Sequence, residues 1–126
     1  TGVPHLVYLS DNLNKEDVLS VGGATRWHEV FKPAGTNVNF IQVDGPKKLR
    51  IRTYERGVEG ETLACGTGAV AAALIASALG RVKSPVSVTT RGGDRLTVSF
   101  TKSGESFSEL MLEGEVGIAC EGMLFI

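Results

Sequence analysis

Between Gly66 and Gly80 the chain contains almost only small apolar residues, and this run sets the first constraint on the fold. The stretch from Thr67 to Leu79 is rich in alanine and carries no charged residue, a composition typical of an α-helix. Gly80 suits the position directly after the last helical turn. Because a helix that is apolar on every side has to be enclosed by other elements, we expect a central buried helix.

The segments on either side of this helix predict strands. Val38–Val43 and Leu49–Glu55 lie on either side of the turn Gly45-Pro46 and predict a hairpin. Further strands are predicted at Leu6–Leu9, Val86–Thr90, Arg95–Thr101, Phe107–Glu113 and Val116–Cys120.

A second, short helix is predicted from Asn14 to Leu19, with Gly22-Gly23 as the break after it. Strands outnumber helices, so residues 1–126 are predicted to form a single α+β domain. In this prediction a curved, mostly antiparallel sheet wraps around one central apolar helix.

Composition excludes several classes of function. The 126 residues carry a net charge of −1, which argues against a nucleic-acid partner. No apolar run is long enough to cross a membrane, and no signal peptide or metal-ligand spacing is evident. Two cysteines in different contexts do not make a disulfide scaffold. We therefore expect a cytoplasmic protein, and the abrupt start at Thr1 suggests a domain cut from a longer one.

Cys65 is the candidate catalytic residue. Cys65-Gly66-Thr67-Gly68 directly precedes the predicted helix, where free backbone N–H groups and the helix dipole stabilise negative charge. A cysteine in such a position has its pKa lowered toward the reactive thiolate. A lone cysteine is more often a small buried hydrophobe, as we expect for Cys120 in its apolar segment, but the glycine-rich context favours a functional Cys65.

Four other side chains are candidates for the same site. Glu55 closes a predicted strand and is followed by a glycine-containing loop that can bring it near Cys65, where it could exchange a proton with the thiol. Glu61 is its main rival for this role. Arg56 could bind a substrate carboxylate, and Asn37 could donate to that carboxylate or accept from the substrate amine. A single histidine such as His5 is more often structural.

The residues from Tyr54 to Gly68 closely resemble the signature of the diaminopimelate epimerases. The segment from Phe31 to Phe40 and the segment from Thr1 to His5 resemble two further blocks of that family. The resemblance covers essentially the whole chain but only the C-terminal half of the family's two-domain architecture.

The resemblance implies a cofactor-independent isomerase of lysine and peptidoglycan biosynthesis. Such enzymes interconvert LL- and meso-diaminopimelate with two cysteines on opposite faces of the α-carbon, one removing a proton and the other returning one. Carried over by position, Cys65 is one of the two thiols, Glu55 assists it, and His5 assists the other. Asn37 and Arg56 bind substrate, and Gly66 with Thr67 hold its α-carboxylate.

Two departures from the family pattern affect these expectations. Val3 stands where many relatives have asparagine, so a side-chain contact to substrate is lost there. The second thiol belongs to the N-terminal half, so we expect the isolated chain to be inactive or nearly so, unless two copies pair as a homodimer. A related proline racemase or hydroxyproline epimerase, and a catalytically silent fold or assembly module, stay open as alternatives.

Overall fold

The described part of the chain folds as an α+β domain with a curled, mixed sheet and two α-helices. This computed structural model describes residues 4–28, 32, 35–62, 66–114 and, for the backbone only, 119–121. Within that part of the chain, eight strands form one sheet. They are β1 (His5–Leu9), β2 (Asn37–Gly45), β3 (Lys48–Glu55), β4 (Gly60–Thr62), β5 (Val86–Thr89), β6 (Arg95–Ser103), β7 (Ser106–Gly114) and β8 (Ala119–Glu121).

The strands follow the order β1-β2-β3-β5-β6-β7-β8, and β4 also pairs with β3. The β1–β2 and β3–β5 pairs run parallel, and the others run antiparallel. The predicted β2–β3 hairpin is therefore confirmed. β4 was not predicted, because its three residues show no apolar alternation and depend on the turn before them for their position.

One helix packs on each side of the sheet. Helix α1 (Val18–Arg26) contacts β2, β3 and β4, and helix α2 (Gly66–Ala78) contacts β1, β2, β3, β5, β6 and β7. The larger core lies between α2 and the sheet, and includes Ile41, Ile51 and four alanines of α2, which are Ala69, Ala72, Ala73 and Ala76. A smaller cluster under α1 contains Leu13, Val18, Val38, Phe40 and Tyr54.

Helix α2 has the predicted position, since it ends at Ala78 and Gly80 has a positive φ of 75°. The structure does not confirm a helix enclosed on all sides. The sheet covers one side of α2, and on the other side Ile75 is 36% exposed and Leu79, just beyond the helix, is 56% exposed. An apolar composition alone does not show which side of a helix the neighbouring strands cover.

The predicted break at Gly22-Gly23 is wrong, because α1 continues through both glycines. A 3-10 helix at Leu13–Lys15 precedes it, and the Asp17 side chain caps α1 by accepting a hydrogen bond from the backbone of Ser20 at 3.1 Å. A Cβ at Gly22 would lie 2.6 Å from Cβ of Tyr54. The glycine is there because α1 crosses β3 closely, and a glycine in that role does not end a helix.

Candidate active site

Five polar residues on β1, β2 and β3 share the side of the sheet on which α2 packs. Successive side chains of a strand alternate between its two faces. Ile41 and Ile51 belong to the core under α2, whereas Val38, Phe40 and Tyr54 belong to the cluster under α1. Residues two or four positions before Ile41 on β2, or after Ile51 on β3, therefore also face α2. The strand pairing places His5 of β1 beside Asn37. We call this set the polar cluster: His5, Asn37, Asn39, Thr53 and Glu55.

Asn37 connects the three strands of the polar cluster. It is the parallel register partner of His5, and its backbone N–H donates to the carbonyl of Pro4 at 3.1 Å. Its side-chain Oδ1 accepts a 2.6 Å hydrogen bond from the backbone N–H of Arg56. Asn37 thus fixes the backbone directly after Glu55, at the point where the chain leaves β3.

The turn after Glu55 is held by the opposite helix. Gly57 and Glu59 have positive φ values of 92° and 55°, and the N–H of Glu59 donates to the carbonyl of Glu55 at 2.9 Å. The Glu59 carboxylate forms a 2.9 Å ion pair with Arg26 at the end of α1. The chain then returns as β4, with Gly60 opposite Glu55.

His5 is placed to act as a neutral imidazole. Desolvation by burial lowers its pKa below the ordinary 6.5, and the negative charge of Glu55 opposes part of that shift. Its Nδ1 lies 3.1 Å from Nδ2 of Asn39. Its Nε2 is buried and has no hydrogen-bond partner among the described residues. An imidazole and a carboxylate close enough to influence each other are suited to proton transfer near neutral pH.

The chain reaches the start of helix α2 shortly after it leaves β4, the short strand that pairs with the end of β3. Thr62 on β4 pairs with Thr53, and the helix starts four residues later at Gly66, a separation of at most about 15 Å between Cα atoms. Gly66 is half-buried, and a Cβ there would lie 3.2 Å from Cδ2 of Leu112. Thr67 is exposed in the first turn. Cys65 directly precedes Gly66 in the sequence and lies outside the described residues, as does Val3.

Glu61, the rival acid, lies on the other side of the sheet. Its register partner is Tyr54, which belongs to the cluster under α1. Arg52 binds both oxygens of the Glu61 carboxylate, with distances of 2.8 and 2.7 Å, and also donates to the carbonyls of Leu13 and Glu16. This ion pair ties β3 and β4 to the segment before α1, whereas Glu55 lies on the face of the polar cluster.

Asn39 and Thr53 belong to the polar cluster although the sequence did not single them out. Asn39 is fully buried, and its Oδ1 accepts from the Thr53 hydroxyl at 3.0 Å. The sequence did contain a signal for both residues, because alternate residues of a strand share a face. Asn39 is two positions from Asn37, and Thr53 is two positions from Glu55. Cys120 lies on β8 opposite Leu112.

Two features are absent from the described part of the chain. It contains no group of three or more His, Cys, Asp or Glu residues arranged to hold a metal ion. It also contains no helix with the length and apolar character that a membrane crossing requires.

A polar cluster that combines a carboxylate, an imidazole and amide groups is suited to proton transfer on a small polar molecule. Comparison with known proteins is consistent with this class. Residues 1–118 match the family model for diaminopimelate epimerase.

Curated relatives agree with the family match. The chain is 49% identical over 125 residues to the diaminopimelate epimerase of Aquifex aeolicus, which covers 98% of the chain and 44% of that relative. It is 46% identical over 125 residues to that of Chlorobaculum tepidum, covering 98% of the chain and 48% of that relative. With the Archaeoglobus fulgidus protein of the same name, it is 54% identical over 93 residues, or 74% of the chain and 32% of the relative.

The chain therefore belongs to the diaminopimelate epimerase family. It spans less than half the length of these relatives.

Proposed function

We propose that this chain is the C-terminal half of a cytoplasmic diaminopimelate epimerase and supplies one side of its active site. Family membership supports the reaction class, and the share of each relative that the chain covers supports the assignment to one half. In this proposal the remaining half contributes the second thiol, and the two halves enclose one molecule of LL- or meso-diaminopimelate between them.

The observation that carries the proposal is the position of Asn37 between His5 and the backbone of Arg56. This contact brings together three residues that lie far apart in the sequence and that the family resemblance assigns to one site. The amide uses Oδ1 for Arg56, so its Nδ2 group is the part that would donate to the substrate. Arg56 would add a guanidinium for a substrate carboxylate.

The proton transfers would be divided between two thiols and need no cofactor. Cys65 would remove or return the α-proton on one face of the substrate, with Glu55 as the carboxylate that exchanges a proton with the thiol. His5 would assist the thiol on the opposite face. The backbone N–H groups of Gly66 and Thr67 at the start of α2 would bind the α-carboxylate and stabilise the charge that develops beside it.

The test is α-deuterium incorporation into LL- and meso-diaminopimelate in heavy water. The chain is assayed alone and with the separately produced N-terminal half, as wild type, Cys65→Ser and the matched control Cys120→Ser. We expect the two halves together to exchange deuterium, Cys65→Ser to lower the rate by at least about 100-fold, and Cys120→Ser to leave it unchanged.

Three other outcomes of the deuterium experiment would each contradict or change a specific part of the proposal. Exchange that survives Cys65→Ser contradicts the assignment of the thiol. Cys65-dependent exchange by the chain alone would mean that one thiol suffices for proton abstraction or that two copies pair into a working site. Exchange with proline or hydroxyproline in preference to diaminopimelate would place the chain among the related racemases.

A further inference from the structure

Asn39 is a buried amide that lies against His5 and forms further hydrogen bonds with Leu6 and Thr53. It is 0% exposed on β2, with apolar neighbours in sequence that face the opposite helix. Its Nδ2 lies 3.1 Å from Nδ1 of His5 and donates to the carbonyl of Leu6 at 3.3 Å, while its Oδ1 accepts from the Thr53 hydroxyl at 3.0 Å.

These contacts fix which way the amide faces. The Leu6 carbonyl can only accept a hydrogen bond, so the NH₂ group of Asn39 has to face it, and the oxygen is left to accept from Thr53. The same NH₂ group then meets Nδ1 of His5, which must be the acceptor. In a neutral imidazole one nitrogen carries the proton and the other accepts, so the proton of His5 is on Nε2.

We propose that Asn39, oriented by Thr53, is a positioning residue that holds His5 in the Nε2–H tautomer. The tautomer follows from these contacts alone, and only the role given to the Nε2 proton rests on the proposed function. Nε2 is the buried atom without a partner among the described residues, so the tautomer presents an N–H donor where a thiolate or a substrate anion would accept. A proton on Nδ1 would instead point at the NH₂ group of Asn39, and two donors cannot form a hydrogen bond with each other.

The direct readout is the ¹⁵N spectrum of the imidazole rings at neutral pH. The chain has two histidines, and exposed His28 serves as the internal reference. We expect Nδ1 of His5 to resonate as a non-protonated, accepting nitrogen and Nε2 as a protonated one. Asn39→Asp offers a carboxylate to Nδ1, so the two resonances should exchange positions while those of His28 stay in place.

A second pair of variants covers the case in which Asn39→Asp does not fold. Thr53→Val removes the hydroxyl that holds Oδ1 of Asn39 and should produce a mixture of both tautomers. Thr53→Ser keeps the hydroxyl and should retain the wild-type spectrum. A wild-type His5 with its proton on Nδ1, or tautomers that are the same in wild type and Thr53→Val, would overturn the proposal.

A kinetic experiment separates this inference from the proposed function. In the two-half epimerase, Asn39→Asp should lower kcat by at least about 10-fold while KM changes little, because the proton on His5 is displaced and the substrate contacts remain. A loss confined to KM would contradict the positioning role. The NMR result does not depend on activity, so an inactive enzyme with the expected tautomer would overturn only the proposed function.

Discussion

The two faces of strands β1 to β4 carry similar residue types but use them differently. On the side of α1, Arg52 and Glu61 bind each other through two short hydrogen bonds, and Nη1 of Arg52 donates to two backbone carbonyls. On the side of α2, Glu55 and His5 influence each other electrostatically, and Nε2 of His5 has no partner among the described residues. A polar group whose bonds are complete stabilises the fold, whereas one with bonding capacity left is available for a ligand.

Arg52→Leu should have the largest effect on stability, because it leaves the Glu61 carboxylate without its main partner. The Arg52 and Glu61 side chains are only 10% and 18% exposed, and Arg91 is 3.7 Å from Glu61. We expect a loss of about 3 kcal/mol in the free energy of unfolding, measured by urea denaturation.

The matched control is Arg50→Leu on the same strand. Arg50 pairs with Asp44, but the two side chains are 35% and 33% exposed, so the loss should stay below about 1 kcal/mol. Equal losses for the two variants would show that the Arg52–Glu61 pair is no more structural than a surface ion pair, and would weaken the contrast between the faces.

Gly22→Ala should have the next largest effect, since it tests how closely α1 packs against β3. The added Cβ would lie 2.6 Å from Cβ of Tyr54, so the helix or the strand has to move, at a cost of about 1–3 kcal/mol in the free energy of unfolding. At the neighbouring Gly23 the nearest atom is the Tyr54 hydroxyl at 3.6 Å. Gly23→Ala should therefore stabilise the helix slightly, and a loss as large as that of Gly22→Ala would contradict this packing.

The smallest expected effect is a pH dependence that comes from His5 on the α2 face. Its pKa is lowered by folding, so the unfolded chain binds more protons as the pH falls below 6.5, and stability decreases there. His5→Gln removes this contribution. Between pH 7.5 and pH 5.5, wild type should lose more unfolding free energy than His5→Gln does, and parallel losses in urea titrations would mean that burial does not affect His5 in this way.

The elements with strong local patterns were predicted correctly from the sequence. Helix α2 and the β2–β3 hairpin follow from an alanine-rich run and from alternating apolar residues on either side of a Gly-Pro turn. The continuation of α1 through Gly22 and Gly23 was missed, because it depends on contact with Tyr54, more than thirty residues further along the chain.

The candidate site was predicted in part, for a related reason. His5, Asn37, Glu55 and Arg56 were named from the sequence, and the structure brings them together. The choice between Glu55 and Glu61 needed the register of β4, which sets Glu61 opposite Tyr54. Asn39 and Thr53 were missed because their importance lies in the hydrogen bonds that they make across strands, which no local motif encodes.

The contrast between the two faces is tested most directly by the paired variants Glu55→Gln and Glu61→Gln. The measurement is the rate of α-deuterium incorporation into diaminopimelate per folded molecule, with the N-terminal half present. We expect Glu55→Gln to lower the rate by about 100-fold with little change in stability, and Glu61→Gln to lower stability with little change in the rate. A larger loss of rate in Glu61→Gln would contradict the assignment of the α2 face as the catalytic one.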